Sequence, residues 1–358
     1  MLTGPNMTDA PTITRSREAL LPGVPLSDVR TLVLEDAETY DMPLLERTDT
    51  RLTVAFGPCR MSFADADTGL AITLQATQED QLYNMQEYLV DRLATALPDA
   101  MTALRWSGDT GAGGTPPNFR LVSVRDVTPL GTDFLRVRIK ADDFALFSDK
   151  SIHFRILLPP VPIDQAEWPV LAENGSTRWP TGDKALHRPV YTARAVDPDA
   201  GEMTFDVFRH DGGRVTDWAG AATEGTIVGL TGPGGGGIPD LSVTRRIRVF
   251  GDETAFPAIA RILETLPGDV TGAVDLHCDD GADCGYPMPD HPGIAITWHR
   301  RGDSPALSDL AFAERAEWTG GFLWFAGEKS CVQKVRAAYK ADGGTTEHSY
   351  IAAYWSHS

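Results

Sequence analysis

Two hydrophobic rhythms meet near Arg246, and they commit this chain to more than one kind of domain. Across residues 118–240 the apolar residues fall into short runs separated by turn residues, at Arg120–Val127, Asp133–Ile139, His153–Leu158 and Val190–Val196. Regular short strands of this kind predict a closed antiparallel barrel. Trp168–Lys184 reads as a polar surface loop between two of them. From Arg246 the pattern becomes strand, helix, strand: Ile247–Phe250, helix Ala255–Leu266, Val274–Cys278, Ile294–His299, Phe322–Phe325, helix Ser330–Lys340 and Ile351–Tyr354. That alternation predicts a parallel sheet with covering helices, over residues 241–358.

A third unit precedes both. Arg51–Phe56, Cys59–Phe63 and Leu70–Thr77 read as strands, and Leu82, Met85, Leu89, Leu93 and Leu97 recur at helical spacing. A small α+β domain is therefore expected over residues 26–106, after a flexible lead-in at 1–25 and before a Gly, Thr and Pro linker at 107–117. The domain resembles a small uncharacterised bacterial α+β family, which brings no activity with it.

The chain has 358 residues and a formal charge of −18, which opposes nucleic acid and anionic membrane surfaces as partners. No apolar run has the length of a membrane span, and the first thirty residues lack the pattern of a secretory signal, so a cytoplasmic monomer is expected. An anionic substrate needs a local basic patch. The candidates are Arg245, Arg246 and Arg248, and the pair Arg300 and Arg301, although either reads equally as a solvated face. Cys59, Cys278, Cys284 and Cys331 lack C-x-x-C spacing and predict no zinc or iron–sulfur site. Cys278 and Cys284, around an acidic loop, read as reduced thiols with a redox role as the alternative.

The chemistry concentrates between residues 188 and 235. A flavin dinucleotide needs a cation and backbone donors for its pyrophosphate, an aromatic surface for its ring and a hydrogen-bond partner near N5. Arg188-Pro189-Val190-Tyr191-Thr192 offers the cation, the ring and the hydroxyl. After a second strand, Glu202–His210, Gly212-Gly213 turns the chain into a short helix opened by Thr216, whose free amides favour an anion. From Gly213 the residues Thr216, Ala219, Gly225, Pro233 and Gly235 follow at the spacing G-x2-T-x2-A-x5-G-x7-P-x-G.

That series resembles the phosphate-binding pattern of the ferredoxin-reductase superfamily, whose ring-binding signature is Arg-x-Tyr-Ser/Thr. Within it the chain resembles the siderophore-interacting proteins, which are FAD-dependent ferric-siderophore reductases. Arg188–Arg194, Asp206–Ala219, Gly251–Ile259, Trp324–Glu328 and Tyr354-Trp355 carry the likeness across residues 118–358. The resemblance implies FAD bound by Arg188, Tyr191, Thr192, Asp206, Val207, His210, Gly213, Val215 and Thr216, with Tyr191 on the ring and Thr192 near N5.

It further implies a nicotinamide donor, NADH or NADPH, at Asp252, Glu253, Thr254, Gly327 and Glu328. The residues alone read Asp252-Glu253 as a helix cap, since no G-x-G-x-x-G follows any strand. Arg155, Arg300, Arg301 and Trp355 are the expected contacts to an iron chelate or coenzyme phosphate. Relatives carry His-Val-Lys where this chain has His153-Phe154-Arg155, and Tyr-Trp-Arg where it has Tyr354-Trp355-Ser356. The expected reaction is electron transfer from NAD(P)H through flavin to ferric iron in a siderophore or other chelate. A general NAD(P)H-flavin oxidoreductase, an electron-transfer partner and a non-catalytic iron-chelate carrier remain the alternatives.

Overall fold

The computed structural model describes residues 13–39, 42–56, 59–107, 111–141, 144, 147, 151–173, 175–239, 241 and 244–356, which form two compact units. The first contains β1 (Arg15–Pro22), α1 (Leu26–Thr39), β2 (Leu44–Arg47), β3 (Arg51–Phe56), β4 (Cys59–Ala66), β5 (Gly69–Ala76), α2 (Glu79–Ala96) and β6 (Arg105–Trp106). Its antiparallel sheet runs β2-β3-β4-β5-β1-β6. Alternation puts Leu70, Ile72 and Leu74 on one face with Met61 and Phe63, and the apolar stripe Leu82, Met85, Leu89 and Leu93 covers them.

β1 departs from the expected lead-in. All eight of its residues pair with β5, and Leu21 is fully buried. Arg15–Pro22, which carries few strand formers of its own, becomes an interior strand because its partners supply what its local propensity lacks.

The chain continues as β7 (Phe119–Leu130), β8 (Phe134–Lys140), β9 (His153–Leu157), β10 (Val170–Leu171), β11 (Thr177–Arg178), β12 (Val190–Thr192), β13 (Ala195–Asp197), β14 (Glu202–Phe208), α3 (Arg214–Ala221) and β15 (Ile227–Gly234), most of which build the barrel of the second unit. Of these, the small β10-β11 hairpin does not join the barrel sheet, and residues 167–182 belong to the first unit. There Gln86 Nε2 on α2 donates to the Gly175 carbonyl at 2.5 Å, and the Thr177 amide donates to Glu87 at 3.0 Å. The expected surface loop is thus a docked hairpin. Part of the expected linker is likewise bonded: Gly113 and Leu171 join through their backbones at 2.7 Å.

The barrel sheet runs β12-β9-β15-β7-β8-β14-β13. The single strand expected at Val190–Val196 is two strands, one pairing with β9 and the next with β14. Between them the Ala193 amide bonds Ile152 and the Arg194 amide bonds Thr204. One continuous segment therefore satisfies both ends of the sheet and closes the barrel.

The remaining chain folds as β16 (Arg246–Asp252), α4 (Phe256–Thr265), β17 (Thr271–Cys278), β18 (Ile294–Arg300), α5 (Leu307–Ala313), β19 (Phe322–Glu328), α6 (Lys329–Ala341) and β20 (Ser349–Trp355). The sheet is parallel, in the order β18-β17-β16-β19-β20. The chain winds outward from β16 through β17 to β18, then returns to the other side of β16. The reversal makes the carboxyl ends of β16 and β19 a topological switch point, where sheets of this kind bind ligands. Among the described residues no helix is long and apolar enough to cross a membrane.

Candidate functional site

β12 pairs with β9 so that Thr192 lies opposite His153, Tyr191 opposite Phe154 and Val190 opposite Arg155. Tyr191 is half-buried, its ring 6.4 Å from Phe154 and 5.6 Å from Phe205, and this burial pushes its phenol well up. Arg155 donates to the Arg188 carbonyl at 2.9 Å, so the expected phosphate cation and the expected chelate cation share one edge. Arg188 stands three residues before Tyr191; the superfamily spacing of two falls on Pro189.

The turn into α3 is built for close approach. A Cβ on Gly213 would lie 2.8 Å from both the His210 imidazole and the Thr216 hydroxyl, so a larger residue would have to displace those side chains. Gly213 is the N-cap of α3 and has no side chain to satisfy the first amides, which leaves them to an anion. Val215 is buried beneath and Thr216 half-buried. Beside this helix start is a cavity of about 540 Å³, lined by His187, Leu158, Pro159, Arg214, Asp217 and Trp218 among others. Arg214, which the motif reading passed over, is the cation of that cavity wall.

Asp206 and Val207 take no part in it. The Asp206 carboxylate is buried and accepts two bonds from Arg136, at 2.7 and 2.8 Å, and one from the Tyr286 hydroxyl at 2.7 Å. Val207 is fully buried in the barrel core. Both side chains are taken up by contacts within the protein.

At the switch point Asp252 caps the following turn. It accepts from the Thr254 amide at 3.1 Å, the Thr254 hydroxyl at 2.5 Å and the Trp355 indole at 2.7 Å. Burial raises its proton affinity, and those bonds oppose the rise. Gly327 is required here, since its Cβ would sit 2.6 Å from the Asp252 carboxylate. Glu253 is buried and held by Arg301. Glu328 caps α6 through the Ser330 amide at 2.6 Å. The structure thus brings Asp252, Glu253, Thr254, Gly327, Arg301 and Trp355 together, with Trp355 serving Asp252. Arg300 pairs with Asp283 at 2.5 Å.

The last strand joins the two halves. His153 Nε2 is 3.2 Å from the hydroxyls of both Tyr350 and Tyr354, and its Nδ1 is 3.4 Å from Thr192 Oγ1. Burial lowers the His153 pKa to about 4, so the ring is neutral at pH 7. His153 and Tyr350 carried no assigned role in the sequence; His153 sits in the family's His-Val-Lys strand, while Tyr350 gives no signal beyond lying one helical turn's count before Tyr354. The Arg245, Arg246 and Arg248 patch lies at the opposite, amino end of the sheet, paired with Asp269, Glu317, and Glu314 and Asp275. It is not part of the site. Cys278 and Cys284 are both buried, and the Cys278 thiol donates to the Gly281 carbonyl at 3.2 Å; the closeness of the two thiols pushes Cys278 up and Cys284 down.

Residues 121–237 match the siderophore-interacting FAD-binding domain and residues 244–358 the siderophore-interacting protein domain. The chain is 26% identical over 247 residues to the NADPH-dependent ferric-chelate reductase of Escherichia coli, covering 66% of this chain and 92% of that one. It is 28% identical over 242 residues to the ferric vibriobactin reductase ViuB of Vibrio cholerae, covering 62% and 84%. It is also 27% identical over 182 residues to the mycobactin import ATP-binding/permease protein IrtA of Mycobacterium tuberculosis. That match covers 49% of this chain but spans only about a fifth of the importer, 21% of its length. Among solved structures, the siderophore-interacting protein SipS from Aeromonas hydrophila superposes with a TM-score of 0.55 at 21% identity, over 67% of this chain and 99% of that one, a likeness of fold.

Proposed function

We infer the function from one premise: over residues 121–237 and 244–358 the chain belongs to the siderophore-interacting protein family. Its activity is the reduction of ferric iron held in a siderophore or similar chelate, with FAD as resident cofactor and NADH or NADPH as donor. When bound, FAD would supply the redox chemistry, as a two-electron hydride acceptor from the nicotinamide and a donor able to reduce two ferric ions. Reduction weakens the hold of hard oxygen donors on the iron, which then leaves as Fe(II).

The observation that carries the reading is the convergence of three elements. β12 presents Tyr191 and Thr192, β20 presents Tyr350, Tyr354 and Trp355, and the end of β16 presents Asp252, all linked through His153 and the Trp355 bond. In this arrangement Tyr191 would offer its ring to the flavin and Thr192 its hydroxyl near N5, with neutral His153 behind Thr192. The uncapped amides at Val215 and Thr216, behind the Gly213 turn, take the pyrophosphate, with Arg188 or Arg214 as its cation, and the adjoining cavity takes the nucleotide half. Asp252, Glu253, Thr254, Gly327 and Glu328 shape the floor of the nicotinamide site. Arg155 at the barrel edge attracts the anionic chelate. Because the donor is a cytoplasmic metabolite, this reading places the chain's action in the cytoplasm.

One anaerobic titration tests this. The purified protein is expected to carry an oxidised flavin spectrum, to bleach with a nicotinamide and to recover colour on adding a ferric chelate. Protein without a flavin spectrum would refute the reading in favour of a chelate carrier. A flavin that bleaches but reoxidises with ferric chelate no faster than free reduced flavin does would favour a general flavin reductase. Arg155→Glu is expected to slow the chelate step about tenfold while sparing the bleaching step, as loss of a steering charge should.

A further inference from the structure

The nucleotide edge of the parallel sheet carries a charge pattern that separates the two nicotinamide coenzymes. They differ only at the adenosine ribose: a 2′-phosphate calls for an uncommitted cation, a free 2′-hydroxyl for a carboxylate acceptor. Arg300 and Arg301, at the carboxyl end of β18, are the cations at this edge. Arg301 holds buried Glu253 through Nη2 and pairs through Nε with Asp279 at 2.5 Å. Arg300 lies 2.5 Å from Asp283, 3.6 Å from Asp280 and 4.0 Å from Asp303.

Five carboxylates therefore surround two guanidiniums, and Asp279, Asp280 and Asp283 all follow directly on β17, the strand beside β16. A 2′-phosphate would have to draw an arginine from its partners and would bring up to two negative charges to an edge already negative. A ribose diol requires neither. Asp279, whose side chain is 73% exposed, keeps one oxygen on Arg301 and has further acceptor capacity turned to solvent.

We propose that Asp279 and Asp283 make this a site for NADH rather than NADPH, with Asp279 accepting from the ribose hydroxyls and Asp283 holding Arg300 away from phosphate duty. The proposal rests on the reading of this half as a nicotinamide site, and it runs against the coenzyme in the Escherichia coli relative's name.

The test uses the FAD-loaded full chain. Anaerobic reduction of its flavin by NADH is expected to exceed that by NADPH about tenfold or more in kcat/KM, the effect of roughly one unfavourable charge contact. By calorimetry, 5′-AMP is expected to bind more tightly than 2′,5′-ADP by a similar factor. The double variant Asp279→Asn, Asp283→Asn is expected to raise 2′,5′-ADP affinity and narrow the coenzyme ratio with the flavin spectrum unchanged. A ratio unmoved by that variant overturns the role of these two carboxylates. Equal or better use of NADPH by the unaltered protein overturns the preference while leaving the reductase reading intact. A bound flavin that neither coenzyme reduces overturns both.

Discussion

The barrel and the parallel sheet hold their polar groups in opposite ways. At the barrel's α3 the helix start has no capping side chain, and a roomy cavity adjoins it. At the sheet's switch point every acid is occupied: Asp252 by Thr254 and Trp355, Glu253 by Arg301, Glu328 by the start of α6. Bare donors cost little when a ligand is resident for the life of the protein. A diffusing coenzyme, which must enter and leave at each turnover, meets a surface that is complete without it. The lesson is that one half is shaped by its cofactor and the other by itself.

Four perturbations would break or sharpen this contrast. The largest lies at the joint between the halves. Asp206→Ala leaves Arg136 and Tyr286 without their shared carboxylate, and the expected loss is about 3–5 kcal/mol in chemical denaturation. A variant of full stability that lost only flavin would return Asp206 to the cofactor site. Acid comes next. The folded pKa of His153, about 4, lies below its ordinary 6.5, so the unfolded chain takes up the proton first. Stability is intact above pH 6.5 and falls as pH drops towards 4, by about 3 kcal/mol from this residue alone. Denaturation midpoints measured across that window should flatten in His153→Gln.

Third, removing the phosphate cation should weaken FAD binding roughly 10- to 100-fold, the worth of a charge-assisted contact. Arg188→Ala and Arg214→Ala, compared by flavin titration, decide which arginine fills the place that Pro189 vacates. Full flavin retention in both would leave the pyrophosphate to backbone donors alone. The smallest effect belongs to Trp355→Phe. It removes one bond to the buried Asp252 carboxylate, worth about 1–2 kcal/mol, and should slow flavin reduction by the nicotinamide with flavin content unchanged. Flavin loss in that variant would mean that the two halves are not separable.

What the sequence made legible follows the same division. The turn from Gly212-Gly213 to Thr216 is local and so visible in the sequence, and the series running on to Gly235 is what made it read as a phosphate-binding pattern. The parallel order of the C-terminal strands was legible from alternation with helices. The joint was not, because Asp206 meets Arg136 and Tyr286 from strands and loops 70 and 80 residues away. Asp252 could be read as a cap or as a nucleotide contact; it is certainly a cap, and Trp355, 103 residues on, completes it. β1 was hidden for a related reason, its strand character residing in β5 rather than in its own composition. Arg300 and Arg301 were visible as charges, but their acid partners were not.

The segment that closes the barrel also carries Tyr191 and Thr192. If Tyr191 and Thr192 hold the flavin as proposed, sealing the barrel and gripping the flavin are a single latch. The empty protein should breathe at this seam, and the loaded one should not, because a ligand that binds only the shut form lowers the population of the open one. Amides at 190–197 would then exchange with deuterium early in the stripped protein and late in the yellow one, making solvent access at one short seam a gauge of cofactor loading.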